Sequence, residues 1–346
     1  MQVALLASSG FLNDEAAMFR RLVIGLIDEQ VRVVQVVPEG RPDDELSDFG
    51  QKLIYPESSI GLVNRWRFGK LVEPLESEGV TMIHACDGSM WPHALHLGKS
   101  LEIPVLLDLR AEEELSQLAR VTGQPMPVAV LAATQALADA AIAQLDERVP
   151  VELIHPGIHV PAELPTSERK DETFCAAISG TGRFSENDEA LFEGISRVLR
   201  KHQDAQFFIE SQSSDTRDLY RGAERFNLLG HVSLVPGRMG RREFFEGVDT
   251  LIHPEALGRA RTVTLQAMGY GVPVIAREDP WLDYQVMDQT AWIVGQTSPT
   301  PWEQLIMRVI EREDSAEQLR RSAFQWVREG HLASGQVGKT IEMYQR

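Results

Sequence analysis

The chain has 346 residues, enough for two domains of ordinary size, and its 43% hydrophobic and 25% charged content is that of a globular protein. A formal net charge of −17 argues against a general nucleic-acid binder, because phosphate backbones require basic surfaces. Cys86 and Cys175 show neither CxxC nor metal-ligand spacing, which argues against a disulfide framework or a zinc site.

The N-terminus lacks a basic segment and runs straight into a strand, so no signal peptide is expected. The longest apolar stretch, Pro127 to Leu145, is broken by Thr134, Gln135 and Asp139 and is too polar to span a bilayer. A cytoplasmic protein is the default expectation, with peripheral membrane contact left open.

Gln2 to Ala7 reads as a strand, and Ser8, Ser9 and Gly10 turn the chain. Glu15 to Asp28 is an amphipathic helix with Phe19, Leu22, Val23, Leu26 and Ile27 on one face, and Val31 to Val37 is the next strand. Strand, small-residue turn, helix and strand begin a doubly wound α/β domain. The small residues either make a tight turn only or let a ligand approach the backbone. Arg41 to Ser59 reads as a loop with a short strand at Lys52 to Tyr55. Asn64 to Glu78 reads as a helix carrying Trp66, Arg67 and Phe68, either for packing or to meet an acceptor or a membrane.

Thr81 to Ala85 is a strand ending near His84, followed by Asp87 and a helix through Ser100. Val105 to Leu109 is another, with Arg110 just past its carboxyl end. Asp108 and Arg110 are either site residues or charges paired with neighbours. Met126 to Ala132 is a strand, Thr134 caps a helix to Leu145, and Val151 to His155 is the next strand. Ala162 to Thr173, polar and holding Pro165, reads as an interdomain linker.

Phe174 to Ser179 opens a second domain. Ser179, Gly180, Thr181, Gly182 and Arg183 form a glycine loop, and Ser185 with Asp188 caps the helix to His202. Glycines ahead of a helix suit a diphosphate, because backbone N–H groups can approach it. Strands at Gln206 to Glu210 and His231 to Pro236 flank a helix at Asp215 to Phe226; Gly237, Arg238, Arg241 and Arg242 follow. Thr250 to His253, Thr262 to Met268 and Val272 to Ala276 make a βαβ unit. Arg259 and Arg261 lie in its loop, where cations oppose the dipole of the following helix. They are either solvated loop charges or ligands of a bound phosphate, which would resolve the conflict. Trp302 to Gly330 reads as a run of helix and Val337 to Tyr344 as a last helix.

The segment Leu265, Gln266, Ala267, Met268, then Gly271, Val272, Pro273, Val274, Ile275 and Ala276 resembles the signature of retaining GT-B glycosyltransferases of the large group that includes sucrose synthase. The resemblance implies two Rossmann-like doubly wound domains facing across a cleft. The first would span 1–162, joined by the C-terminal helix 331–346, and the second 172–330. It also implies a UDP- or GDP-sugar donor, a sugar or lipid-linked acceptor, transfer with retention and without a metal, and a place in polysaccharide or glycoconjugate synthesis. The donor-side residues it marks are Ser9, Gly10, Gly180, Gly182, Arg183, Gly237, Arg238, Gly258, Arg259, Arg261, Thr262 and Gln266. Those nearest the chemistry are Arg183, Arg110, Asp108 and His84. The pattern departs at three places: its first Glu falls on Gly258, its ribose-binding Glu on Gln266, and its phosphate-binding Lys near Asp188. These departures keep open a catalytically degenerate member that binds a nucleotide or a partner. A further alternative is an NAD-dependent oxidoreductase, because Gly180, Gly182 and Ser185 before a helix, with Glu210 ending the next strand, approach a dinucleotide fingerprint.

Overall fold

The computed structural model describes residues 1–40, 46, 48–56, 67–121, 127–145, 149–165, 173–181, 184–211, 216–236, 242–312 and 314–346. The chain divides into two compact units. Unit 1 comprises Met1–Gly157, Gly258–Ala260 and Ala333–Arg346, and unit 2 comprises Ile158–Leu257 and Arg261–Leu332.

Unit 1 is built on strands β1 (Gln2–Leu6), β2 (Arg32–Pro38), β3 (Gln51–Tyr55), β4 (Met82–Ala85), β5 (Val105–Leu109), β6 (Ala129–Ala132) and β7 (Val151–Leu153). They form one seven-stranded sheet in the order β3-β2-β1-β4-β5-β6-β7. Every pairing is parallel; Val3 lies opposite Val33 on one side and Met82 on the other. Helices cover both faces of such a sheet, so its central strands read as unbroken apolar runs, as Val3 to Leu6 does.

The helices of this unit are α1 (Ser9–Asp28), α2 (Val72–Ser77), α3 (Trp91–Leu101), α4 (Glu112–Val121) and α5 (Gln135–Leu145). Ser8 caps α1 by accepting from the Phe11 N–H, so the helix starts at Ser9 rather than Glu15. Glu15 itself is a kink inside it, with φ −131°. Of the helix expected from Asn64, residues 67–69 and Val72–Ser77 are helical, broken by a turn at 70–71, and Asn64 to Trp66 lie outside the described residues. Phe68 is buried and stacked on His93 at 4.0 Å, so this aromatic packs the unit rather than presenting a surface.

Unit 2 repeats the plan. Its strands are β8 (Cys175–Ile178), β9 (Gln206–Ser211), β10 (Val232–Pro236), β11 (Thr250–His253), β12 (Val274–Arg277) and β13 (Trp292–Val294), in the order β10-β9-β8-β11-β12-β13, again all parallel. Its helices are α6 (Glu186–Leu199), α7 (Arg217–Arg225), α8 (Arg242–Phe245), α9 (Thr262–Gly269), α10 (Pro299–Ile310) and α11 (Asp314–Gly330). The expected Ser185–Asp188 pair is a full capping box at the start of α6. The run of helix from Trp302 is interrupted: Arg312 adopts a left-handed φ of 52°, which ends α10 and reorients the chain into α11. The core of this unit includes Leu191, Ile195, Val198, Phe207, Ile252, Trp292 and Trp302.

The last helix, α12 (Ala333–Tyr344), belongs to unit 1. It packs on α1 at Gly25, where a Cβ would lie 2.5 Å from Val337 Cγ2. Glycine there lets the two helices approach. Both sheets therefore have the Rossmann strand order, and the direction in which strands are added reverses between β1 and β4 and between β8 and β11. Ligands of open parallel sheets bind at such points, beyond the carboxyl ends of the strands.

Candidate functional site

In unit 1 the switch point is ringed by carboxylates held on backbone donors. The Ser8 N–H donates to Asp87 Oδ2 at 3.1 Å, and Asp87 Oδ1 accepts from the Ser89 N–H at 3.0 Å. Burial raises the Asp87 pKa, and the bonds from Ser89 and Ser8 oppose the shift. Glu114 accepts from the Arg110 N–H at 2.6 Å, the Gly88 N–H at 2.7 Å and the Ala111 N–H at 3.1 Å. It thereby ties the ends of β4 and β5 to the start of α4. Burial nevertheless pushes its carboxyl up to about 7, with the backbone bonds opposing and Asp87 adding to the rise.

These groups border a cavity of about 340 Å³, lined among others by Gly10, Asp14, Glu113, Arg110 and Arg259. Ser9 opens α1 between the lining residues Ser8 and Gly10 and is not itself in the lining. Arg259 reaches unit 1 on the segment Gly258–Ala260, which adds to the chain end after β5 like a short antiparallel strand. The Glu112 N–H donates to Gly258 O and the Ala260 N–H to Arg110 O, each at 2.8 Å. Gly258 takes a left-handed φ of 59°, open to glycine at no steric cost. The Arg259 guanidinium pairs with Asp14 at 2.9 Å and with Glu113. Arg110 is buried, its guanidinium 5.6 Å from the Phe11 ring centre.

His84 and Asp108 sit behind Arg110. His84, 1% exposed, is held at Nε2 by Asp108 Oδ1 at 2.7 Å and at Nδ1 by the Tyr344 hydroxyl at 2.6 Å. Both ring nitrogens are therefore engaged, one by a carboxylate and one by a hydroxyl. These residues border a cavity of only about 10 Å³, too small for a sugar. Arg110 lines both cavities, so it is the member of this trio that reaches the larger one. Asp108 finds its partner in His84, not in Arg110.

In unit 2 the switch point carries the glycine loop. Ser179 Oγ and His253 Nδ1 are 2.9 Å apart across β8 and β11. Glu255, 8% exposed and directly after Pro254, accepts from the Thr181 N–H at 2.8 Å and the Thr181 hydroxyl at 2.9 Å. Gly180 gives it room, since a Cβ there would lie 3.3 Å from its carboxylate. Asp188 has its carboxyl pushed up to about 6, chiefly by burial, with Ser185 opposing and Glu255 adding to the rise.

Arg261, 2% exposed, donates to Glu210 Oε2 at 3.0 Å and to Gly180 O at 3.3 Å. Arg261 is thus a buried paired charge, whereas Arg259 is part-exposed and paired with Asp14 and Glu113. No side chain caps α9; the Thr264 hydroxyl bonds back to Arg261 O at 3.2 Å. Thr262 and Gln266 are buried, with Gln266 Nε2 donating to Thr262 Oγ1 at 3.3 Å. Gly182, Arg183, Gly237 and Arg238 lie outside the described residues, as does Arg241; Arg242 is exposed and pairs with Glu246 at 2.7 Å.

Sequence reasoning does not single out Glu114 or Glu255 as site residues, and it marks Glu210 only as part of a dinucleotide fingerprint. The available signal was position: Glu210 and Glu255 stand at or just past the carboxyl end of a parallel strand, and Glu114 stands in the first turn of the helix that follows β5. Among the described residues no cluster of three His, Cys, Asp or Glu side chains could hold a metal, and no helix is long and apolar enough to cross a membrane.

No family model and no curated protein sequence matches the chain. Solved structures do. HepE from Anabaena in complex with UDP and glucose superposes with a TM-score of 0.79 at 14% identity, over 100% of this chain and 99% of that one. Sucrose-phosphate synthase from Thermosynechococcus elongatus gives 0.75 at 14% identity, over 100% and 98%. A point mutant of TarM from S. aureus, in complex with Fondaparinux, alpha-GlcNAc-glycerol and UDP, gives 0.79 at 10% identity, over 100% of both chains. The chain has the GT-B fold of these proteins.

Proposed function

We propose that the chain is a glycosyltransferase. It would move a sugar from a UDP- or GDP-linked donor to a sugar or lipid-linked acceptor, with retention and without a metal, in polysaccharide or glycoconjugate synthesis. The observation that carries this reading is the end-to-end likeness to HepE, which is described with UDP and glucose, joined to polar groups at the switch point of each unit. In unit 2 the donor diphosphate would meet the glycine loop of Gly180, Gly182 and Arg183. Backbone N–H groups and Arg183 would stabilise it as it departs, the electrostatic logic of any leaving anion. Gln266 would hydrogen-bond the ribose, and Gly237 with Arg238 would lie against the base. In unit 1 acceptor hydroxyls would meet Asp14, Glu113 and Arg110.

A second reading, a nucleotide- or partner-binding protein without transferase activity, is favoured by one feature. Carboxylates already engage Thr181 and Arg261, groups suited to hold phosphate. Thermal unfolding against UDP, GDP, ADP, CMP and NAD separates the readings. A ligand at a hundred times its dissociation constant adds about 2.7 kcal/mol, a visible shift. A selective rise with one nucleoside diphosphate, followed by transfer or hydrolysis of its sugar that Arg183→Ala abolishes, is the expected outcome. A flat response to all five sinks the transferase reading, and a rise with NAD alone replaces it with an oxidoreductase.

A further inference from the structure

Resting on the reading that the glycine loop of unit 2 takes a diphosphate, we infer that Glu255 is an internal anion that occupies the hydrogen-bond donors of Thr181 and sets how tightly a diphosphate binds. The Thr181 N–H lies three residues past the carboxyl end of β8, in the connection to α6, where backbone donors beyond a parallel strand suit a negative group. That negative group is already present. Glu255 places one carboxylate oxygen on the Thr181 N–H and the other on its hydroxyl, at 2.8 and 2.9 Å. The glycine at 180 keeps this approach open, since its missing Cβ would press on both Glu255 oxygens at 3.3–3.4 Å.

A phosphate oxygen that takes the Thr181 N–H must stand where Glu255 Oε2 stands. Two anions cannot share that donor, and their repulsion in a buried setting is large. Among the described residues, the cation beside the loop is already engaged. Arg261 is committed to Glu210 at 3.0 Å and to Gly180 O at 3.3 Å. Asp188, whose carboxyl is raised by burial and further by Glu255, reports the negative field at the same turn. Diphosphate binding therefore requires Glu255 to swing aside, and affinity is lowered by that cost.

Two variants test this. In Glu255→Gln the amide oxygen still accepts from the Thr181 N–H and the amide nitrogen donates to its hydroxyl, so the loop keeps its fastening and loses only the charge. Glu255→Ala removes both. Affinities for UDP, GDP, ADP and inorganic pyrophosphate are measured by titration calorimetry at fixed ionic strength, with uridine as a phosphate-free control. The expected result is a rise of about tenfold for the preferred diphosphate in Glu255→Gln, about 1.4 kcal/mol, with a larger rise in Glu255→Ala and none for uridine. Wild-type binding that both variants leave unchanged or weaken overturns the role of Glu255 while leaving the donor site standing. Absence of diphosphate binding in wild type and variants alike overturns the donor site and this inference with it. If Glu255→Ala does not fold, Glu255→Gln decides alone.

Discussion

Glu114 shows how one carboxylate can organise a site and carry a pH dependence. Its carboxyl, normally near 4.5, is raised to about 7 in the folded chain by burial. The folded state then holds a proton that the unfolded chain releases, so this group's contribution to stability is complete below pH 4.5 and is lost as pH rises through 7. The shift corresponds to on the order of 3 kcal/mol. Urea denaturation of wild type should show stability falling between about pH 5 and 8, and Glu114→Gln should flatten that window while lowering stability at about pH 5, because its amide N–H₂ would face the Gly88 N–H. A pH dependence identical in the two proteins would refute the assignment. The site was legible only in part from sequence. Arg110, Arg259 and Arg261 stood out as cations near strand ends, but their partners did not. Arg261 meets Glu210 and Arg259 meets Asp14 through sheet order and loop path, over separations of 51 and 245 residues that no local pattern encodes.

At the scale of elements, local physics was readable wherever one segment explains itself. The Ser185–Asp188 capping box needs only residues three apart, and the parallel strands announce themselves as apolar runs. The break between α10 and α11 was missed because no glycine or proline marks it: the turn falls on Arg312, a non-glycine residue with a left-handed φ, inside the polar run from Glu311 to Ser315. The contact between α1 and α12 was likewise hidden, since its determinant is an absent side chain. Gly25→Ala should cost about 1–3 kcal/mol, the usual penalty for overpacking, because its methyl would enter Val337. Val337→Ala introduced alongside should recover part of that loss, a coupling that a double-mutant cycle in chemical denaturation measures. Additive losses would show that the helices do not meet through this pair.

For the whole molecule, the repeated strand order was foreseen from alternating strands and helices together with the Leu265–Ala276 signature. The expected first domain ended at 162, whereas the first unit ends at Gly157 and also takes in Gly258–Ala260 from a distant part of the chain. Removing residues 333–346 should loosen unit 1 and spare unit 2, because α12 covers α1 and anchors His84 through Tyr344. Hydrogen exchange followed by mass spectrometry should show faster exchange in α1 and β4 with unchanged protection in β8 and β11. Equal loss of protection in both units would refute that independence.

The assignment of α12 to unit 1 also fixes an order of events during synthesis. Chains usually fold from the N-terminal domain onward as they leave the ribosome. Here unit 2 has all its residues once position 332 has emerged, while the face of α1 around Gly25 still waits for Val337. The second unit to be translated can therefore be the first to finish. Until the last helix arrives, the nascent first unit carries an uncovered apolar face, which is where a ribosome-bound chaperone would find it.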